Sequence, residues 1–175
     1  RHDETGNAGR GDTDAQVPGR VRDIISQRIE RLAPADRELL EFASCETDFF
    51  DSDILLECLG GERIPLLRNL QRLETVNHLL RHDGPKYRFD HPLVREVIYD
   101  GLLPELRSEF HRLIAKSVVG RHSESAEHAS RIAHHLTASG QRRESMPFLL
   151  RAAERSRELC ANSEALRLFA ELESI

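Results

Sequence analysis

The spacing of the apolar side chains constrains this chain more than any other feature. They recur at three and four positions from Val21 almost to Ile175, the period of amphipathic helices. One segment breaks the period. Leu79-Leu80-Arg81 and Tyr87-Arg88-Phe89 flank His82-Asp83-Gly84-Pro85, which predicts a β-hairpin. Before it, Val21, Ile24, Ile25, Ile29 and Leu32 mark a first helix, and Pro34 opens a second whose buried stripe is Leu39, Leu40, Phe42 and Ala43. Ala33 offers no side-chain oxygen to that helix, a defect costing about 1 kcal/mol. Asp51-Ser52 predict the cap of a short helix through Ile54, Leu55, Leu56 and Leu59, stopped by Gly60-Gly61. A fourth helix over 64–75 is expected to bury Ile64, Leu67, Leu70 and Leu73. After the hairpin, Asp90 or His91 caps a helix with Pro92 in its first turn, carrying Leu93, Val94, Val97, Ile98 and Leu102.

Beyond Pro104 the pattern is helical throughout, over about 105–119, 124–138 and 144–160, and from about 162 onward. His135 and Phe169 stand 34 positions apart, the period of a tetratricopeptide (TPR) helix pair. Small residues at Ala133, Ala138, Ala152 and Ala165 would let paired helices approach closely. The expected fold is therefore mainly α: a winged helix-turn-helix with a two-stranded wing, then an antiparallel TPR-like array. The winged helix and its preceding helix occupy 18–103, the array 104–175, with the boundary at Leu103-Pro104. Residues 1–17 hold four acids, three glycines and almost no bulky apolar side chain, the composition of a disordered linker. In the last helix, Leu166, Leu168, Phe169, Leu172 and Ile175 form a face that a TPR unit buries only by stacking on another. That end is expected to fray, dimerise or continue into further repeats.

Composition excludes several classes. With 25 basic and 30 acidic residues the chain is not a cationic nucleic-acid binder. No apolar run approaches the ~20 residues of a membrane span, and nothing resembles a signal peptide. Cys45, Cys58 and Cys160 are odd in number and widely spaced, which fits reduced thiols and a cytoplasmic location. The chain starts at Arg1 and its one methionine is Met146, so a piece of a longer protein is expected.

Four segments together resemble a known family: VPGRVRDIISQRIERLAPADRELLEFAS, YRFDHPLVREVIYDGLLPELRSEFHRLIA, RIAHHLTASGQ and AAERSRELCANSEALRLF. They resemble the STAND-type regulatory ATPases of bacteria, which include large LuxR-type transcriptional activators and ATPases fused to cyclases or kinases. The resemblance covers about residues 17–172 and is most specific from Tyr87 to Tyr99. In that family a P-loop nucleotide domain precedes the winged helix and TPR-like repeats follow it. The resemblance implies a signal-transduction switch whose partners are the upstream nucleotide domain, further repeats and other proteins. It also implies that His91 senses a phosphate of ADP, a role suited to an imidazole at a helix N-terminus. ATP and ADP then belong to the whole protein, and the segment itself carries no cofactor. Phe89 and Tyr99 are expected as local core anchors, and Arg95 as an interface charge or a solvated one.

Other chemistries are weaker. No GxxxxGK[ST] occurs, since Lys86 follows Pro85 and Lys116 follows Ala115, and neither a dinucleotide glycine fingerprint nor a G-x-S-x-G elbow is present, so no catalysis is expected. A winged helix suggests DNA, with Arg63, Arg68, Asn69 and Arg72 as contacts and the helical tail for dimerisation. Yet residues 19–103 carry 12 bases against 16 acids, which forfeits most phosphate affinity. Arg68 and Arg72 are then better read as protein-interface charges. His128 and His135 could share a helix face and His134-His135 are adjacent, but no HExxH, CxxC or zinc-ligand spacing accompanies them, so no metal is expected.

Overall fold

A computed structural model describes residues 19–47 and 49–175; the expected linker over 1–17 lies outside the described residues. The described chain is mainly helical, with a small three-stranded antiparallel sheet. Its elements run α1 (Gly19–Glu30), α2 (Pro34–Ala43), β1 (Phe50–Asp51), α3 (Ser52–Leu59), α4 (Arg63–Thr75), β2 (Leu80–Asp83), β3 (Lys86–Phe89), α5 (Pro92–Gly101), α6 (Pro104–His122), α7 (Ala129–Ala138), α8 (Arg142–Glu158) and α9 (Asn162–Glu173).

Local chemistry accounts for most boundaries. Pro34, Pro92 and Pro104 each occupy the first turn of a helix, where their fixed φ is already helical and the missing amide is not needed. Ala33 makes no side-chain cap. Asp51 does sit at the N-cap of α3, yet its carboxylate bonds no helix amide and turns instead to Arg131, 3.3 Å away.

Two expectations need correction. The hairpin is not a two-stranded wing: Phe50 and Asp51 pair with Tyr87 and Lys86, so β1 adds a third strand in the order β1-β3-β2. The Phe50 and Tyr87 rings stack at 5.9 Å, which fixes that register. Outside β2, the His82 amide donates to the Glu74 carboxylate at 2.8 Å. Second, Ile64 is not buried but 64% exposed, whereas Leu70 and Leu73 are fully enclosed. A strict every-third-residue series rotates about 60° per step, so over three steps it carries Ile64 to the far side of the helix from Leu73.

One apolar core runs from Ile29 to Leu136, taking in Phe42, Leu55, Leu73, Ile114 and Ile132, and it crosses Leu103-Pro104 without a gap. Phe42 of α2 meets Phe110 of α6 edge-on at 5.2 Å between ring centres. A second, alanine-rich core (Ala129, Ala133, Ala152, Ala153, with Leu149 and Leu168) joins α7, α8 and α9. The α7–α8 and α8–α9 turns share one closing pattern. Gly140 at φ 81° and Cys160 at φ 58° are left-handed, and the amide after each reaches back five residues, Gln141 to Leu136 and Ala161 to Ser156.

Candidate functional site

The site begins where the end of α2, strand β1 and the first turns of α5 come together with α6 and α7. His91 caps α5: its Nδ1 accepts the Leu93 amide at 3.1 Å, and the ring is exposed. A neutral ring accepting through Nδ1 carries its proton on Nε2, which can therefore donate. Arg81 pairs with the neighbouring Asp90. Arg88 and Arg95 line an open cleft of ≈ 180 Å³ beside this helix start, together with Phe49 and Asp90. Arg95 is neither free nor merely solvated, because its Nη1 donates to the Ser44 carbonyl at 3.1 Å. Phe89 is buried and Tyr99 half-buried.

The arginines of α4 are drawn apart. Arg72 grips the buried Asp36 carboxylate through Nε at 3.0 Å and Nη2 at 2.6 Å, and also reaches Asn69 Oδ1 at 3.1 Å. Arg63 pairs with Asp53 at 2.5 Å. Arg68 is exposed.

Behind Arg95 lies a buried polar chain that the sequence reading did not assemble. Glu46, just beyond α2 and 5% exposed, receives Arg131 through Nη2 at 2.5 Å and Nε at 3.2 Å. Its Oε2 also meets His135 Nε2 at 3.2 Å. His135 Nδ1 faces His111 Nδ1 at 2.8 Å, and His111 Nε2 faces the Tyr99 hydroxyl at 3.1 Å. One direction satisfies every atom without charging a ring. Tyr99 O–H donates to His111 Nε2, His111 Nδ1–H to His135 Nδ1, and His135 Nε2–H to the Glu46 carboxylate. Arg107 closes the far end, stacking 4.3 Å over the Tyr99 ring and donating to the Tyr99 carbonyl at 2.8 Å.

The electrostatics agree with this direction. Burial, the largest cause, pushes His111 down to about 3, so it is neutral at pH 7. Burial alone raises the Glu46 carboxyl, but the hydrogen bonds from His135 and Arg131, with the Arg131 charge, outweigh it and hold the group at about 2. Cys45, beside this chain, is pushed up to about 12 by burial and by Glu46, which leaves an unreactive thiol.

His128 and His135 line one cleft, as their spacing suggests, but their rings have different partners. His128 bonds Ser125 at 3.0 Å and stacks on His122 at 4.0 Å, while His135 points into the core. The residues missed were Glu46, Arg131 and His111, and of these His111 was the most legible. Its signal was present, for it continues the stripe of Ile114, Ala115 and Val118, just as His135 accompanies Ile132. A cleft of ≈ 450 Å³ opens beside the chain, lined by His134, His135, Arg131, Arg167, Lys86 and Glu127 among others. No family model, no curated protein and no solved structure matches this chain.

Proposed function

We propose that the chain is the regulatory module of a STAND-type signalling ATPase, a winged helix joined to the first TPR-like helices, with no turnover of its own. The observation that carries this is the Tyr99–His111–His135–Glu46 chain. It links α5, whose first residue follows His91, to the first helices of the array, so a displacement at either end disturbs both. The unbroken core across Leu103-Pro104 supports the same coupling. A nucleotide domain docking near the start of α5 would meet the exposed His91 ring, and His91 Nε2–H is a suitable donor to an ADP phosphate. Further repeats would cover α9, where Leu166 is 70% exposed and Phe169 and Leu172 are half-covered. The module then acts as a two-state latch, which requires contacts that differ between the two nucleotide states. The ion pairs that hold Arg63 and Arg72 support packing on protein over duplex binding.

The test is ADP release from the full-length protein. His91→Ala is expected to release ADP faster and to raise basal output. Release at the parental rate sinks the sensor role. Tight, salt-sensitive duplex binding abolished by reversing the exposed Arg68 sinks the module reading in favour of DNA recognition.

A further inference from the structure

We propose that His111, His134 and His135 form a binding site for a transition-metal cation of the zinc class, with Tyr99 and Glu46 fixing two of the rings from behind. The proposal rests on side-chain geometry; it shares the His111–His135 contact with the regulatory reading above, and its test reads metal binding rather than ADP release.

One nitrogen from each of the three rings lies within 4.8 Å of the others. The ring centres form a near-equilateral triangle, 5.4 Å for His111–His134, 5.0 Å for His111–His135 and 5.1 Å for His134–His135. A tetrahedral zinc with Zn–N of about 2.1 Å would hold its imidazole centres about 5.2 Å apart, the same triangle. The inward Nδ1 atoms of His111 and His135 stand 2.8 Å apart. Tetrahedral ligation needs about 3.4 Å between them, a shift of about 0.3 Å by each ring.

The outward nitrogens are already held as metal-bound histidines require. His135 Nε2 faces a carboxylate, Glu46, at 3.2 Å, and His111 Nε2 faces the Tyr99 hydroxyl at 3.1 Å. Proton balance is simple. The His111 proton moves from Nδ1 to Nε2 and donates to the Tyr99 oxygen, whose own hydrogen rotates away from the ring, freeing both inward lone pairs. His134 is exposed on the wall of the 450 Å³ cleft, which supplies both an entry path and a solvent-facing fourth position. Imidazole donors suit zinc, copper, nickel and iron, so the class is fixed more firmly than the element.

The experiment uses the tag-free chain, stripped with a chelator, titrated with Zn²⁺ by calorimetry and with Co²⁺ by visible absorption. One equivalent is expected to bind, with the absorption bands of four-coordinate cobalt. His134→Ala, a surface change that leaves the circular dichroism spectrum unaltered, is expected to weaken zinc at least tenfold. His82→Ala, which removes an exposed histidine of β2 away from the cleft, is expected to leave affinity unchanged. Absence of binding, affinity indifferent to His134→Ala, or affinity lost with His82 overturns the proposal.

Discussion

Arg131 reaches back across 85 positions of sequence to close on Glu46, and the pair is the ionic joint between α7 and the segment after α2. Its side chains are 20% and 5% exposed, so neither charge is well hydrated without the other. Glu46→Ala strands Arg131 and removes the acceptor of His135, which should cost about 3–5 kcal/mol in urea unfolding. A Glu46→Leu/Arg131→Met double variant, with both charges gone, should recover much of that loss. If the double variant is as unstable as the sum of its singles, the pair is not the coupled unit described.

Acid should weaken this joint in two stages. His111 falls from 6.5 to about 3 on folding, and Glu46 from 4.5 to about 2. Both bind fewer protons folded than unfolded, so stability rises with pH through each window. The His111 contribution is complete above 6.5 and drains away toward about 3; the Glu46 contribution is complete above 4.5 and drains away toward about 2. For His111 alone the loss at pH 5 is about 2 kcal/mol. Urea midpoints between pH 7 and pH 4 should therefore fall steadily. His111→Gln should flatten the upper part of the curve, and an unchanged slope there would refute the assignment.

Arg72 and Arg68 sit one turn apart on α4 and should behave oppositely. Arg72 neutralises the buried Asp36, so Arg72→Ala should lower stability clearly, leaving that carboxylate without its partner. Arg68→Ala, at an exposed position, should stay within about 0.5 kcal/mol. Thermal unfolding of the two single variants decides the matter, and equal effects would contradict it.

The α8–α9 turn offers a stabilising change. Cys160 adopts φ 58°, where a side chain is strained, while Gly140 fills the corresponding place in the α7–α8 turn without that cost. Cys160→Gly should gain about 0.5–1 kcal/mol, and Gly140→Ala should lose about 1 kcal/mol. Chemical denaturation of both variants checks the pair, and a destabilised Cys160→Gly would show that the turn relaxes its strain elsewhere.

Much of this arrangement could be read from the chain. The three helix-opening prolines and the paired apolar stripes place α2, α5 and α6 to within a few residues. His91 was one of two caps expected for α5, and it makes the cap bond. The third strand was hidden because two residues are too few to show alternation, and Asp51 looked like a cap since its true partner, Arg131, lies 80 positions away. The histidine cluster was hidden for the same reason. His111 is 24 positions from His135, and Glu46 is 89, so no local spacing links them. A polar residue on an apolar stripe announces that some partner is needed. Only the fold says which.

The order β1-β3-β2 leaves β2 as the long outer strand, and its surroundings decide how the protein behaves when concentrated. Arg81, His82 and Asp83 project there as exposed polar or charged groups, and Glu74 occupies the outward amide of His82. A strand from another molecule would have to displace that carboxylate and bury those charges to add itself to the sheet. The hairpin is thereby guarded against fibrillar stacking, which leaves exposed apolar side chains, such as Leu159 and Leu166, for crowded copies to meet through.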